Sequence, residues 1–353
     1  MGKSKSKQAQ LQKEEISSLL ETQSSSQSYA AIEESHDSMP VDEWGGLEPT
    51  EKKMGVVSLV LDKGVRTTAI GTIYGLDFEI EEDDYRVNVF FDYYNRRLKI
   101  LHYEAENYAR MLSRLAYLAE ANNFDKVFVK ATHADYQQFL SHGYAMEGVL
   151  KYYFQGQDAY VLSRFTSLER IYSKELIEES ELIEKLIYDT PKKKARDLDD
   201  RITIILADES SIPELVRIYR EVFATYPSPL TNADYIQAVM KRNVIFRIAL
   251  LDNYAVAAAS ADIDHKNSNA ELTDCATVSE AQGMGLMQHL LIHLEKDLLG
   301  LNIMNTYTLA RAQSYGMNCV FYRLDYEFSG RLINNCDIFG QFEDMNIWTK
   351  KLE

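Results

Sequence analysis

The chain has 353 residues, which at about 150 residues per domain is enough for two domains that each bury a sizeable core. It carries 38 Lys and Arg residues against 54 Asp and Glu residues, a formal net charge of −16. This acidity argues against a nucleic-acid partner, because phosphates are bound by a cationic surface and no basic run exceeds Lys192-Lys193-Lys194. No apolar stretch approaches the roughly 20 residues of a membrane-spanning helix, so no membrane partner is expected.

The N-terminal segment and the cysteines indicate a cytoplasmic protein. Residues 1–55 are polar and low in complexity, and we expect them to form a disordered tail. Met1 to Lys13 lack the apolar segment of a secretory signal. The three cysteines, Cys275, Cys319 and Cys336, are few and odd in number, which argues against a disulfide framework and for a reducing compartment.

A first ordered unit is predicted over residues 57–170. Apolar residues three and four apart predict one amphipathic helix, and short apolar or β-branched runs predict strands around it. The predicted elements are strands Val87–Phe91 and Leu98–Leu101, helix Glu104–Glu120, strand Val127–Val129, helix Tyr136–Leu140, and strands Ala145–Phe154 and Ala159–Arg164. A helical and charged linker is expected over 171–201, with Thr190-Pro191 and mixed charges marking the boundary.

A second unit is predicted over residues 202–353. Its elements are strand Ile202–Leu206, a helix opened by Ser210 or Ser211, helix Asn232–Met240, strands Val244–Leu251, Ala255–Ile263 and Ala270–Thr277, helix Gly283–Leu298, strand Thr306–Leu309, helix Ser314–Leu324 and terminal strands. The first unit ends in the same order of helix, strand, helix and two strands. This repetition indicates a weak structural duplication.

The most informative motif is a turn with two glycines between strand Ala270–Thr277 and the following helix. The amides of Gln282 to Leu286 can point at one site, where the helix N-terminus adds a partial positive charge. Gly283 and Gly285 permit positive φ and let a pyrophosphate approach the backbone. The absence of Gly-Lys-Ser/Thr excludes a Walker loop, and antiparallel-looking strands argue against a dinucleotide-binding βαβ unit. Taken alone, the motif is equally consistent with an ordinary strand-to-helix turn.

With this turn the sequence resembles the GNAT superfamily of N-acetyltransferases, in which such a turn binds the pyrophosphate of coenzyme A. Gly283 and Gly285 match the pattern and Gln282 suits it. Glu280 stands where the superfamily has Arg or Gln, and we expect its side chain to turn outward. From about Val57 to the C-terminus the chain also resembles the β-lysine N6-acetyltransferases, on Lys126–Lys130, Phe139–Tyr144, Tyr226-Pro227, Glu271–Thr277, Tyr307–Ala312, Gly316–Asn318, Asn334-Asn335 and Glu343–Trp348.

This resemblance implies an α/β, mixed-sheet GNAT fold with two units in tandem, a degenerate one without a phosphate cradle at 57–170 and a catalytic one at 202–353. It implies an enzyme without a metal that transfers acetyl from acetyl-CoA to the N6 amine of β-lysine. The product, N6-acetyl-β-lysine, is a compatible solute in osmotic stress, and lysine 2,3-aminomutase supplies the β-lysine. An acetyltransferase for lysine, a diamine or a protein lysine remains an alternative, as does a non-catalytic acyl-CoA-sensing module.

The chemistry needs a base, because an alkylamine with a pKa of about 10.4 is protonated at neutral pH. Glu271, on the strand that enters the cradle, is the first candidate, and Asp274 is the second if a bulge turns it toward the cleft. Either carboxylate can instead have a structural partner. The resemblance puts Phe321 where the superfamily has a tyrosine that protonates the leaving thiolate, which leaves Tyr322, Tyr326, water or no acid.

The remaining expected contacts are with the cofactor and the substrate. We expect the amides near Thr277 and Val278 to pair with the pantetheine arm. Arg311 is expected to clamp the substrate carboxylate, and Glu343 or Asp344 to hold its distal ammonium. Each substrate contact is equally consistent with a turn or capping role. The full cofactor set is Ala276, Thr277, Val278, Gln282, Gly283, Met284, Gly285, Leu286 and Ser314, and the substrate set also includes Tyr226, Asn318, Asn334 and Asn335.

Two further features are interpreted as structural. His289 and His293 lie four residues apart on a helix, a spacing that can bind zinc, but no third ligand follows where a site needs it. Cys275 is interpreted as a core thiol and not as an acyl-carrying nucleophile, which predicts direct transfer without an acyl-enzyme.

Overall fold

The structure, a computed structural model, describes residues 57–69, 75–192, 195–223, 226, 228–338 and 340–353. The polar tail expected at 1–55 lies outside these ranges. Within them, no helix combines the length and the apolar character needed to cross a membrane.

The first unit is a small hairpin followed by a larger sheet with two helices. The hairpin is β1 (Val57–Asp62) and β2 (Val65–Ala69). Helix α1 begins after Asn107, whose side chain accepts a hydrogen bond from the Arg110 amide, and its apolar face packs on the sheet. The larger sheet and its helices are β3 (Gly75–Glu82), β4 (Tyr85–Asp92), β5 (Arg97–Ala105), α1 (Tyr108–Ala121), β6 (Lys126–Ala131), α2 (Tyr136–Ser141), β7 (Ala145–Phe154) and β8 (Gln157–Phe165).

A helical segment joins this unit to the second one, whose elements follow in the order predicted from the sequence. The connecting segment holds α3 (Leu168–Ile171), α4 (Leu176–Glu184) and a π-helix (Lys185–Asp189). The second unit consists of β9 (Ile202–Leu206), a 3₁₀ turn (Glu209–Ser211), α5 (Ile212–Val222), α6 (Ala233–Met240), β10 (Val244–Leu251), β11 (Tyr254–Asp264), β12 (Asn269–Thr277), a 3₁₀ turn (Ser279–Ala281), α7 (Leu286–Gly300), β13 (Asn305–Arg311), α8 (Tyr315–Arg323), β14 (Glu327–Ile338) and β15 (Gln341–Lys351).

Both units contribute to one sheet of 13 strands in the order β3-β4-β5-β6-β8-β7-β14-β15-β13-β12-β11-β10-β9. In each unit a parallel pair, β5–β6 or β12–β13, follows an antiparallel meander. The last strand of each unit then inserts beside that pair, so that β8 lies between β6 and β7, and β15 between β13 and β14. The two units therefore share one topology, as the duplication predicts.

The units meet where the edge strands β7 and β14 pair through Gly148 and Gly330. A Cβ on Gly330 would lie 2.4 Å from the Gly148 Cα, and its φ of 147° also suits glycine. Only two glycines allow the strands to approach this closely. Beside the junction, Phe128 and Tyr153 of the first unit share a hydrophobic core with Tyr307 of the second. The two units therefore pack against each other through this shared core as well as through the paired edge strands.

Candidate active site

The cofactor cleft begins where β12 and β13 separate. The two strands pair in parallel only from Asn269 opposite Asn305 to Glu271 opposite Tyr307, whereas β12 continues to Thr277. Beyond Glu271 one edge of β12 therefore carries backbone amides and carbonyls without a strand partner. Such an edge can accept an extended chain as an added strand.

The ladder between β11 and β12 decides which backbone groups face this open edge. The Val278 amide donates to the Val256 carbonyl at 3.0 Å, so it points away from the opening. Because neighbouring residues of an antiparallel ladder alternate in direction, the backbone of Thr277, opposite Ala257, points into it. Of the two amides expected to meet the pantetheine arm, that of Thr277 therefore faces the open edge and that of Val278 is bonded to β11.

The glycine turn after β12 has the conformation that an anion cradle requires. Gly283 and Gly285 adopt φ of 81° and 78°, the left-handed region, and a Cβ at either position would meet no atom within 4 Å. Gly285 also caps α7 without a side-chain hydrogen bond, so the first amides of this helix have no side-chain partner. Conformation, and not lack of space, thus selects glycine here. The turn presents amides and the positive end of α7 to an anion.

The other predicted cofactor residues divide into exposed and buried positions. Gln282 is exposed, and its Nε2 lies 3.5 Å from the Thr277 carbonyl oxygen. Ser314 caps α8 through an Oγ that lies 3.5 Å from the Met317 amide. Ala276 and Leu286 are buried, which leaves only their backbone for a ligand, while Met284 is half-buried and Glu280 is exposed.

An acidic face, defined here as Asp262, Glu271 and Asp274, lies beside the cofactor cleft. Asp262 and Glu271 are opposite each other on β11 and β12. The ladder then shifts between Ser260 and Ala258, where β12 carries one extra residue, and Asp274 adopts a φ of 52°. This bulge turns Asp274 onto the same face, where the Ser260 hydroxyl donates to it at 2.7 Å. The bulge on which the prediction for Asp274 depended is present.

The surroundings raise the pKa of two carboxyl groups of the acidic face, Asp262 and Asp274. Burial raises the pKa of Asp274 to about 6; the Ser260 and Tyr226 hydroxyls oppose this rise, and the charges of Glu271 and Asp262 add to it. The pKa of Asp262 is also raised to about 6, mainly by desolvation and then by Glu271, whereas Lys130 lowers it; Asp262 itself is exposed, so solvent screening gives this shift less weight than that of Asp274. Asp274 is 9% exposed, and Glu271 is half-buried. Carboxyls with a pKa near 6 are suited to exchange protons near neutral pH.

The first unit supplies one wall of this cleft. Lys130 on β6 donates to the Tyr153 hydroxyl at 2.9 Å and to the Tyr307 hydroxyl at 3.3 Å. The tip of the β7–β8 hairpin holds the β11–β12 turn, since Gln155 N donates to the Asn267 carbonyl at 2.9 Å. Lys130 was not among the predicted site residues, nor were Asp262 and Ser260 on the other wall, because only long-range packing brings them to Glu271 and Asp274.

The corresponding cleft of the first unit is filled by its own side chains. Here β5 and β6 separate after Ile100 and Val129, and Asp135 accepts hydrogen bonds from the Tyr108 hydroxyl at 2.9 Å and the Thr132 hydroxyl at 2.6 Å. The start of α1 is capped by the Asn107 side chain in place of a glycine turn. This unit has the fold without the cradle, as expected for a degenerate copy.

Neither candidate acid on or after α8 faces the cleft. The hydroxyl of Tyr322, the predicted catalytic acid, donates to the Ile187 carbonyl of the π-helix at 3.2 Å. Tyr326 is 2% exposed, and its hydroxyl lies 3.0 Å from the Thr306 hydroxyl. Phe321 is buried in the core of the second unit. Water or an unassisted thiolate remains from the four possibilities.

Three predicted substrate residues are structural. Asn318 is completely buried; its Nδ2 donates to the Arg311 carbonyl at 2.9 Å, and its Oδ1 accepts from Trp348 Nε1 at 2.8 Å. Asn334 donates to backbone carbonyls in and beyond α3, among them that of Arg170 at 3.0 Å. Asn335 is buried, and its Oδ1 accepts from Arg97 at 2.7 Å. In each case the side-chain amide has protein partners, which favours a structural role over the predicted substrate contact.

The charged residues expected at the substrate, Arg311, Glu343 and Asp344, also make hydrogen bonds or ion pairs within the protein. Asp344 is 3% exposed and accepts from the Asn334 amide at 2.6 Å, which favours a structural role. Arg311 binds Glu343 with two hydrogen bonds of 2.6 and 2.7 Å. The pair neutralises itself, so neither of its members offers a full charge to a small ligand. Tyr226, by contrast, remains at the site, where its hydroxyl acts on the carboxyl of Asp274.

Cys275, His289 and His293, the weaker candidates for a chemical role, lie in surroundings typical of structural residues. Burial raises the pKa of the Cys275 thiol, which disfavours the nucleophilic thiolate. His289 and His293 each lie against a backbone carbonyl, of Arg196 at 2.7 Å and of His289 at 2.8 Å. In the described part of the chain, no group of three or more His, Cys, Asp or Glu side chains is arranged to hold a metal ion.

Comparisons with known proteins agree with the cleft and its cradle. The acetyltransferase (GNAT) family matches residues 212–326, which include the glycine turn. N-acetyltransferase YodP of Bacillus subtilis is 36% identical over 261 residues, 74% of this chain and 94% of the relative. The β-lysine N(6)-acetyltransferase of Methanococcus maripaludis is 36% identical over 65% of this chain and 83% of the relative. The β-lysine N(6)-acetyltransferase of Methanosarcina mazei is 32% identical over 67% of this chain and 94% of the relative. The chain therefore belongs to the β-lysine N6-acetyltransferase family within the GNAT superfamily of acetyl-CoA-dependent N-acetyltransferases.

Proposed function

We propose that the enzyme transfers acetyl from acetyl-CoA to the N6 amine of β-lysine and releases N6-acetyl-β-lysine. The observation that carries the substrate class is the acidic face beside the cradle, formed by Asp262, Glu271 and Asp274. At neutral pH β-lysine carries two ammonium groups and one carboxylate, so an anionic cleft attracts it. The names of two relatives support the same substrate.

The second unit offers acetyl-CoA a binding path. The open edge of β12 at Thr277 fits the amides and carbonyls of the pantetheine arm. The pyrophosphate fits the turn at Gly283 and Gly285, where the first amides of α7 point outward. These backbone groups would orient the thioester toward the acidic face and supply hydrogen bonds to its carbonyl oxygen.

Asp274 is the base that the geometry supports best. It lies on the bulge, nearer the cradle than Glu271 along β12, and its pKa of about 6 keeps it ionised yet basic at neutral pH. In the proposed reaction its carboxylate accepts a proton from the N6 ammonium, and the free amine then attacks the acetyl carbonyl. The nitrogen–carbon bond forms as the carbon–sulfur bond breaks. The nitrogen gives up its second proton, which reaches the departing thiolate through water, so that coenzyme A leaves as the thiol, and Asp274 returns its own proton to the solvent.

Glu271 and Asp262 have a binding role in this arrangement. They face each other on β11 and β12, where they would bind the second ammonium of the substrate, while Asp274 accepts the proton of the N6 ammonium. Cys275 takes no part, because its raised pKa keeps the thiol protonated. Transfer is therefore direct, without an acyl-enzyme.

Product identification combined with pH profiles tests this assignment. Wild-type enzyme with acetyl-CoA and β-lysine should give one product, with the acetyl group on N6 by NMR. The value of kcat/KM should fall below about pH 6 as Asp274 becomes protonated. Asp274→Asn should lower kcat and abolish this acid limb, whereas Glu271→Gln should raise KM and retain the limb. The reverse pattern would make Glu271 the base, and acetylation of N3 would refute the proposed orientation.

The proposed product also suggests a physiological setting. Acetylation removes one positive charge from β-lysine and leaves a zwitterion without net charge, a property that suits accumulation in a salty cytoplasm. The substrate requires a reaction that moves the amino group of lysine from C2 to C3, the reaction of lysine 2,3-aminomutase. We expect production of this enzyme to rise under osmotic stress, which transcript or protein levels after a salt shift would show.

A further inference from the structure

Lys130 is the basic residue through which the first unit reaches the acidic face of the second. It lies at the end of β6, half-buried, with its ammonium 4.4 Å from the centre of the Tyr153 ring and 5.2 Å from that of Tyr307. Its two hydrogen-bond partners are the neutral hydroxyls of these tyrosines. An ammonium group carries three N–H donors, so these contacts leave one for another ligand.

The charge of Lys130 lacks the direct partner that other enclosed cations of this fold have. Arg97 pairs with Asp92 at 2.7 Å, Lys126 with Glu147 at 3.0 Å and Arg247 with Asp297 at 2.5 Å. In the ranges that the structure describes, Lys130 forms no ion pair. Glu271 and Asp264 favour the charged form of Lys130 only at a distance, so its ammonium has no anion in direct contact and can bind that of a ligand.

Glu271 and Asp262, the carboxylates opposite Lys130, also lack a direct ion-pair partner among the described residues. Glu271 raises the pKa of Lys130, and Lys130 lowers the pKa of Asp262, through electrostatic interaction at a distance. The cation and the two carboxylates therefore interact only at a distance, and Asp262 accepts one hydrogen bond, from Asn243 Nδ2 at 2.5 Å. A ligand with a carboxylate and an ammonium on neighbouring carbons would satisfy both.

We propose that Lys130 binds the carboxylate of the substrate, and that the first unit thereby makes the enzyme select an amino acid over a simple diamine. The inference rests on the proposed function and extends it. In β-lysine the carboxylate and the C3 ammonium are separated by a single methylene, so one lies on Lys130 and the other on Glu271 or Asp262. The N6 amine, roughly 6 Å further along the molecule, then reaches toward Asp274, which is three residues and at most about 10 Å from Glu271 along β12.

The test compares β-lysine with 1,4-diaminopentane, which is β-lysine without its carboxylate. Wild-type enzyme should favour β-lysine in kcat/KM by about 10- to 100-fold, the ratio expected for one charged hydrogen bond. Lys130→Met should remove most of this preference, because it should raise KM for β-lysine far more than it changes kcat/KM for the diamine. Lys130→Arg should retain part of the preference. Lys151→Met is the matched control, because Lys151 is a solvent-exposed lysine of β7 that pairs with Glu327.

Three results would overturn the inference, and they are distinguishable. A wild-type enzyme with no preference between the two amines would refute carboxylate recognition directly. Equal losses of kcat/KM for both substrates in Lys130→Met and Lys130→Gln, with unchanged melting temperature and acetyl-CoA affinity, would show that Lys130 only positions Glu271 through Tyr307. Failure of the wild-type enzyme to acetylate β-lysine at all, with activity on another amine, would refute the proposed function together with this inference.

Discussion

Replacement of Asp274 by Asn should stabilise the protein at alkaline pH while it removes the proposed base. The folded-state pKa of Asp274 is about 6 against an ordinary value of 3.8, so above pH 6 the folded protein holds a charge that burial disfavours. A difference of this size corresponds to about 3 kcal/mol in the free energy of unfolding. Asn keeps an oxygen that can accept from Ser260 and tolerates the φ of 52°, so the substitution removes the charge with little strain.

The sign of the pH dependence follows from the raised pKa. The favourable contribution of neutral Asp274 is fully present below about pH 4, where the unfolded chain is also protonated, and it is lost as the pH rises through about 6. The asparagine side chain is not titratable, so the melting temperature of Asp274→Asn should exceed that of wild type by several degrees at about pH 8. The two proteins should converge toward about pH 4.

The assay is thermal unfolding of both proteins over this pH range, followed by circular dichroism. Asp252→Asn is the matched control, because Asp252 also has a left-handed φ, of 50°, but its side chain is 63% exposed. The control should show no comparable gain at alkaline pH. The reasoning is refuted if Asp274→Asn is no more stable than wild type at about pH 8, or if its gain is the same at about pH 4.

Three further substitutions test the cradle and the structural roles of Tyr322 and Asn318. Gly285→Ala should weaken acetyl-CoA binding, because its φ of 78° costs alanine about 1–2 kcal/mol; calorimetry should show this loss and no change for Gly300→Ala, which lies at the helix end without a positive φ. Tyr322→Phe should leave kcat and its pH profile unchanged, since the hydroxyl serves the Ile187 carbonyl; a loss of the alkaline limb would restore Tyr322 as the acid. Asn318→Ala should lower the free energy of unfolding by about 3 kcal/mol, because it leaves the buried partners of this amide without a hydrogen bond, and an unchanged unfolding curve would contradict this.

The features that the sequence predicted correctly are local. The order of strands and helices in the second unit follows from apolar periodicity, and the glycine turn is readable because left-handed backbone demands glycine at Gly283 and Gly285. The sequence alone does not predict the bulge at Asp274, because an extra residue in a ladder depends on the partner strand.

The features that it missed are consequences of long-range packing. Lys130 belongs to a different unit from Glu271 and meets the cleft only because β7 pairs with β14 and the two units share a core. Asn318 and Asn335 are polar residues next to motif positions, and nothing in their neighbours along the chain tells a substrate ligand from a buried structural amide. Tyr322 faces the wrong way because the π-helix packs on α8, a contact that no local pattern reveals.

The most direct test of the account is release of free coenzyme A from acetyl-CoA, with β-lysine, α-lysine and a lysine-containing peptide as parallel acceptors. The account predicts rapid release with β-lysine and far slower release with the other two. β-Lysine carries its carboxylate and second ammonium on neighbouring carbons, the spacing proposed for Lys130 and the acidic face, whereas α-lysine carries both on one carbon and the peptide has tied both up in amide bonds. Equal or faster release with α-lysine or the peptide would contradict the proposed substrate. Tight binding of coenzyme A without release for any amine would contradict catalysis itself and favour a sensing role.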